Sequence, residues 1–267
     1  MGRVSIRGRM ADRRPKWAFI ALGAVMAVSA VLLLWEGRHM TFFNDEWDLI
    51  LHRRGRDPAI LLRDKNGHLV LVPLLIYKTL LAIFGASYTP FRVTAVALGL
   101  LCAGLVFVLV RKRVGDAPAL AAAVLLLFLG VAWEQLFWAL GITYYCALAA
   151  GLGMLLALER GDRRGDLAAC GLLTVSLASF SIGLAFAVAA TVEVCLTVRP
   201  ARWRRLWISL IPLALYGLWS LTYGESQLVS SNIASTPFYI AETASAAMAS
   251  LTGLFRMVGT APGAVTG

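Results

Sequence analysis

Histidine and acid are scarce in this chain: it holds three His and 15 Asp and Glu in 267 residues, against 25 Lys and Arg. Its four cysteines, Cys102, Cys146, Cys170 and Cys195, each lie inside an apolar run. They lack the spacing of a disulfide framework or a metal knuckle and read as free buried thiols. P-loop, Ser-x-x-Lys, HExxH and GxSxG patterns are all missing, so no standard motif for nucleotide, zinc or serine-elbow chemistry is on offer. No long soluble segment, internal repeat or low-complexity tract interrupts the chain. The apolar runs are continuous rather than alternating with period two, which argues against a membrane β-barrel.

What remains is largely Ala, Leu, Val and Gly. A hydrophobic fraction of 59% and a mean hydropathy of +0.75 exceed the roughly half expected of a soluble domain. Uncharged runs recur near the ~20 residues that a helix needs to cross a bilayer. The expected fold is all-α: a polytopic transmembrane helix bundle with an external first loop carrying short juxtamembrane helices.

The net charge of +10 is not that of a nucleic-acid binder, because the basic residues are clustered between apolar runs. The clusters are Arg3 to Lys16, Arg111-Lys112-Arg113, Arg160 to Arg164 and Arg199 to Arg205, as the positive-inside rule asks of cytoplasmic loops. The implied location is the cytoplasmic (plasma) membrane, multi-pass, with the N-terminus inside and contact with anionic lipids. Val28-Ser29-Ala30 faintly resembles a signal cleavage site, but the apolar run continues through Trp35. An uncleaved signal-anchor fits better.

The chain then divides as follows: 1–16, a cytoplasmic basic N-terminus; 17–35, the first transmembrane helix; 36–91, an external loop with juxtamembrane helices. Residues 92–224 form a transmembrane bundle, and 225–267 an external segment with the start of a further helix. Leu69 to Gly85, which holds Pro73 and Lys78, reads as a helix on the outer surface, since a true span there would put Arg111-Lys112-Arg113 outside. Ala117 to Trp133 reads as the third crossing. The stretch 167–198 has basic flanks and reads as a helical hairpin turning near Ser179 to Gly183, with a single long crossing as the alternative.

All three histidines and six of the 15 acids fall between Glu36 and His68. Asn44 is expected to cap a short helix reaching about Arg54, with Asp45 and Glu46 in its first turn. A second short helix opens at Asp57-Pro58 and ends at Asn66-Gly67. Asp45 and Glu46 are adjacent and diverge on a helix, whereas Asp45 and Asp48 share a face and Asp48 can pair with His52. A carboxylate held among Phe42, Phe43 and Trp47 can gain proton affinity and act as a general base; alternatively these acids merely solvate an interfacial helix. Arg53, Arg54, Arg56, Arg63, Lys65, Lys78 and Arg92 can hold a phosphate, or snorkel to headgroups. His68 is a weaker phosphate contact. Glu134, between Trp133 and Trp138, is either a cavity residue or an ordinary interfacial acid. Glu193 carries no assigned role.

The order of these features resembles that of the GT-C membrane glycosyltransferases. The resemblance rests on a first span, an external Asp45-Glu46 pair, a surface helix running from His68 through Pro73-Leu74-Leu75-Ile76-Tyr77-Lys78, and a span closed by Arg111-Lys112-Arg113-Val114-Gly115. It is nearest to the protein O-mannosyltransferase and lipid A aminoarabinose transferase branch, and covers roughly Trp17 to Leu158. The resemblance implies transfer of a sugar from a polyprenyl-phosphate carrier to an acceptor on the external face. In that reading Asp45 is the catalytic base with Glu46 as its neighbour, and Lys78 or Arg92 holds the carrier phosphate. His68 and Glu134 complete the substrate-binding set, no metal ligand is assigned, and a divalent metal is left open. With fewer hydrophobic segments than such enzymes carry, the chain reads as an N-terminal part or shortened member. The rival reading is a non-catalytic polytopic protein, transporter-like or an assembly partner of the cell envelope.

Overall fold

A computed structural model describes residues 17–55, 57–196, 202–224 and 235–252. The basic N-terminus, Arg56, the part of the basic cluster at 199–201, the polar segment 225–234 and the stretch 253–267 lie outside the described residues. Among the described residues the structure is helical, with one isolated bridge, Lys65 to His68, and no strand.

The elements in chain order are α1 (Trp17–Glu36), α2 (Pro58–Leu62), α3 (Leu71–Phe84), α4 (Tyr88–Val114), α5 (Asp116–Leu127), α6 (Trp133–Phe137) and α7 (Gly141–Arg160). They continue with α8 (Arg163–Leu177), α9 (Gly183–Leu196), α10 (Trp207–Tyr223) and α11 (Thr236–Thr252). Among the described residues, three helices are long and apolar enough to cross a membrane: Trp17–His39, Tyr88–Val114 and Gly141–Leu158. Their outer faces carry large exposed apolar side chains such as Ile20, Val31 and Leu101, as expected of surfaces that meet hydrocarbon rather than water.

The helices run up and down between two chemically distinct ends. At the loop end, the segment after α1 packs with α3 and the starts of α4 and α7 around Phe42, Leu49, Leu74, Tyr77, Phe91 and Ile142. At the basic end, Lys112 and Arg113 of α4 meet Glu159 of α7 at 2.7 and 3.1 Å, and Arg205 meets Asp166 of α8 at 2.6 Å. Between the ends, small residues allow close approach: Ala147, Ala150, Ala169, Ala187 and Ala190 are buried where α7, α8 and α9 meet. Gly151 has no room for a side chain, since a Cβ there would lie 2.2 Å from the Phe186 ring. Packing through small residues is the usual way helices associate where no hydrophobic gradient drives them together.

Three sequence expectations need correction. The third crossing is not one run over 117–133: α5 ends at Leu127, and a 3-10 turn at Gly130–Ala132 then leads into α6. Twelve residues rise only about 18 Å, short of a ~30 Å hydrocarbon core. The helix after Asn44 is not an N-capped α-helix but a turn followed by a π-helical segment, Asp48–His52. Asn44 has φ of 45°, a left-handed conformation that Asn tolerates better than most residues, and it serves as the pivot of that turn. The second short helix ends at Leu62, not at Asn66-Gly67, which instead forms the tight turn inside the Lys65–His68 bridge. Asp57 does cap it, accepting from the Ala59 amide at 2.9 Å, with Pro58 in the first position. The chain between α8 and α9 turns at 178–182.

Candidate functional site

The pivot at Asn44 sends the two adjacent acids in opposite directions. Glu46 points into the bundle and is fully buried. Its Oε2 accepts from the Phe43 amide at 2.8 Å, the back-reach of a capping box. Its Oε1 accepts from the hydroxyls of Tyr77 at 3.3 Å and Tyr88 at 3.4 Å. Tyr88 in turn accepts from the Ala139 amide at 3.3 Å, so the carboxylate ties the loop to α3, α4 and the approach to α7. Burial pushes the Glu46 carboxyl up to about 7. The Phe43 amide, the Tyr77 hydroxyl, the Trp138 indole and the Leu140 amide oppose the rise without cancelling it.

Asp45 points the other way, into an open basin of about 730 Å³ lined by Asn44, Asp45, Trp47, Asp48, His52, Arg53, Arg63, Asp64, Lys65 and Asn66. Asp48 is the electrostatic centre of this basin, with Lys65 Nζ at 3.2 Å, His52 Nδ1 at 3.2 Å and Arg53 Nε at 3.4 Å. Partial burial opposes ionisation of Asp48, but Lys65, His52 and Arg53 together outweigh it and hold the carboxyl below its usual range. Lys65 also approaches Asp45, at 3.8 Å. Arg53 is buried and donates to the carbonyls of Arg63 and Asp64 at 2.7 and 2.6 Å, which fixes the far wall of the basin.

The two cations expected to hold a phosphate are placed elsewhere. Lys78 caps the π-helical segment, donating to the carbonyls of Arg53 at 2.5 Å and Gly55 at 2.7 Å. Arg92 is buried, donates to the carbonyls of Leu33 and Phe137 and lies over the Phe137 ring at 5.6 Å. Its guanidinium occupies the space where a Cβ on Gly37 would sit, which accounts for glycine there. Neither residue lines the basin; its basic side chains are His52, Arg53, Arg63 and Lys65.

Glu134 is exposed in the first turn of α6. Tyr144 packs on Phe180 at 4.7 Å, and Phe180 on His68 at 4.1 Å. His68 does not point at the basin: its Nδ1 meets Ser181 Oγ at 2.7 Å. Burial holds the imidazole below its usual value, against the opposing charge of Asp64. The Trp219 indole of α10 donates to the Leu62 carbonyl at 2.7 Å and straps the loop down.

No family model, curated protein or solved structure matches the chain. The site therefore rests on its own geometry. Among the described residues, no three His, Cys, Asp or Glu side chains are gathered as a metal site. Sequence reasoning missed Tyr77, Tyr88, Tyr144, Phe180, Ser181 and Tyr216. Their only signal is a hydroxyl or ring within or beside an apolar helix, which many uninvolved residues share.

Proposed function

We propose that this is a multi-pass membrane transferase, and specifically a glycosyltransferase that moves a sugar from a polyprenyl-phosphate carrier to an acceptor at the external face. The observation that carries the reading is the divergence of Asp45 from Glu46. One acid is partly exposed in a charged basin directly beyond α1, while its neighbour is buried and anchors the loop that presents it. Trp17 and Trp35, both exposed at opposite ends of α1, suit the two interfaces of a membrane. The basic end then faces the cytoplasm and the basin faces outward.

In this reading Asp45 takes the proton of the acceptor hydroxyl as the new glycosidic bond forms. The leaving lipid phosphate needs little acid assistance but does need positive charge. With Lys78 and Arg92 engaged on carbonyls, that charge comes from Arg63 and Lys65, which share the basin with Asp45. Glu46 keeps the loop in register, and the pair of acids is not a facing pair.

The test is consumption of a labelled polyprenyl-phosphate hexose in membranes of the producing cell, comparing wild type with Asp45→Asn and Asp57→Asn. Loss of a general base costs ~100- to 10,000-fold, so Asp45→Asn should be nearly inactive and Asp57→Asn unchanged. Near-normal transfer by Asp45→Asn, or no consumption above background by wild type, removes the assignment. A second reading, a non-catalytic polytopic partner in the cell envelope, is favoured by one observation: the two strongest phosphate candidates in the sequence serve as backbone clamps. In that case all three proteins would behave alike.

A further inference from the structure

A second constellation sits at the loop end, apart from the basin. The turn between α8 and α9 carries Ser181, whose hydroxyl lies 2.7 Å from His68 Nδ1 and 3.0 Å from the Tyr216 hydroxyl of α10. The neighbouring serines behave differently. Ser176 donates across to the Ala147 carbonyl of α7 at 2.7 Å, and Ser179 donates to the Val175 carbonyl four residues back at 2.7 Å, the common local way for such a serine to satisfy itself. Ser181 instead meets an imidazole delivered from 113 residues away, with the Asp64 carboxylate acting electrostatically on that ring. Phe180 packs against the ring at 4.1 Å and fixes its plane. Ser181 is only partly buried and lies two residues before α9 begins, near the positive end of the helix dipole, which favours negative charge.

We propose that Ser181 and His68 form a nucleophile and general-base pair for acyl transfer from a carboxylic ester of a lipid. The choice of ester follows from the surroundings: Ile182 in the turn and Leu184 and Val188 one turn apart on α9 are exposed apolar side chains, on which an acyl chain can lie with its ester at Ser181. In the first step Ser181 Oγ forms a bond to the ester carbonyl carbon, and its proton passes to His68 Nδ1. Collapse of the tetrahedral adduct breaks the carbon–oxygen bond of the ester, and the leaving alkoxide takes the proton back from His68. Water or an acceptor alcohol then attacks the acyl-serine, with His68 again taking and returning one proton. The step requires the arrangement in which Tyr216 is the donor to Ser181 Oγ across their 3.0 Å contact, so that the Ser181 proton is directed at His68. This site acts independently of the transfer assigned to the basin.

The test uses the full chain in detergent micelles and a long-chain alkyl fluorophosphonate. Phosphonylation joins Ser181 Oγ to phosphorus, expels fluoride and places the proton on His68. The expected result is a single adduct that peptide mass spectrometry maps to Ser181. It should be absent in Ser181→Ala, retained in Ser179→Ala and slowed ~100-fold or more in His68→Gln, the general-base range. Wild-type protein alone decides the matter if a variant folds poorly: no adduct, or an adduct only at another residue, overturns the proposal. So does labelling of Ser181 at an unchanged rate in His68→Gln, because the hydrogen bond would then be a structural tie only.

Discussion

Glu46 offers a quantitative test of how the loop is held. Its carboxyl rises from 4.5 to about 7 on folding, so the folded loop binds the proton more tightly than the unfolded chain. For such a group the extra stability is fully present below pH 4.5, declines as pH rises and is gone above about pH 7. At about 1.4 kcal/mol per pH unit, a shift from 4.5 to about 7 amounts to roughly 3 kcal/mol of pH-dependent stability. Glu46→Gln keeps the shape and stays neutral, so that dependence should vanish. Its carbonyl can still accept from Phe43, while its amide can donate to the Tyr77 or Tyr88 oxygen. The assay is amide hydrogen exchange across residues 40–52 of the reconstituted protein between pH 4.5 and 8, corrected for the intrinsic pH dependence of exchange. Wild type should lose up to about 100-fold of protection across this window, and Glu46→Gln should stay flat and exceed wild type at pH 8. An identical slope in the two proteins would refute the argument that burial of this carboxyl governs the loop. Asp48 titrates in the opposite sense, since its lowered value gives stability that is lost only as pH falls through it. It therefore adds little slope between pH 4.5 and 7, where His68, held below its ordinary value by burial, works against Glu46 by favouring the folded chain as pH rises.

Two further outcomes are expected. Arg92→Met should lower the unfolding free energy by roughly 2–5 kcal/mol, because the Leu33 and Phe137 carbonyls lose a buried charged donor. Denaturant unfolding measures it; a variant of normal stability with impaired donor binding would instead make Arg92 a substrate ligand. In a background lacking the four native cysteines, a cysteine at Arg54 should react with an impermeant maleimide in intact cells and one at Lys112 should not. The reverse pattern would invert the topology.

The helix bundle was legible in the sequence because its signals are collective. Continuous apolar runs set the long helices, and the cluster at Arg111 to Arg113 marks the end of α4 whatever any single residue does. The concentration of acids and histidines likewise located the loop. The fate of each loop residue was not legible, because it turns on local geometry and distant acceptors. One left-handed residue, Asn44, decides that Glu46 is buried and Asp45 exposed, where a regular helix would only separate them by a quarter turn. Lys78 and Arg92 look like free cations until carbonyls as remote as Arg53 and Leu33 arrive to receive them. The break after Leu127 is hidden for a similar reason: the residues that follow remain apolar, and only the 3-10 turn at Gly130–Ala132 reveals it.

The strap from Trp219 to the Leu62 carbonyl joins residues 157 positions apart. Chains emerge from the ribosome at about 5–20 residues per second, so the loop around Asp45 waits roughly 8–30 s for the residue that fastens it. His68 waits in the same way for Ser181. During that interval the basin is a half-built wall, open to chaperones and proteases. Assembly of the loop end is thereby gated by the arrival of α9 and α10, and a nascent chain stalled before α10 would display the acids of the loop without the strap that fastens them.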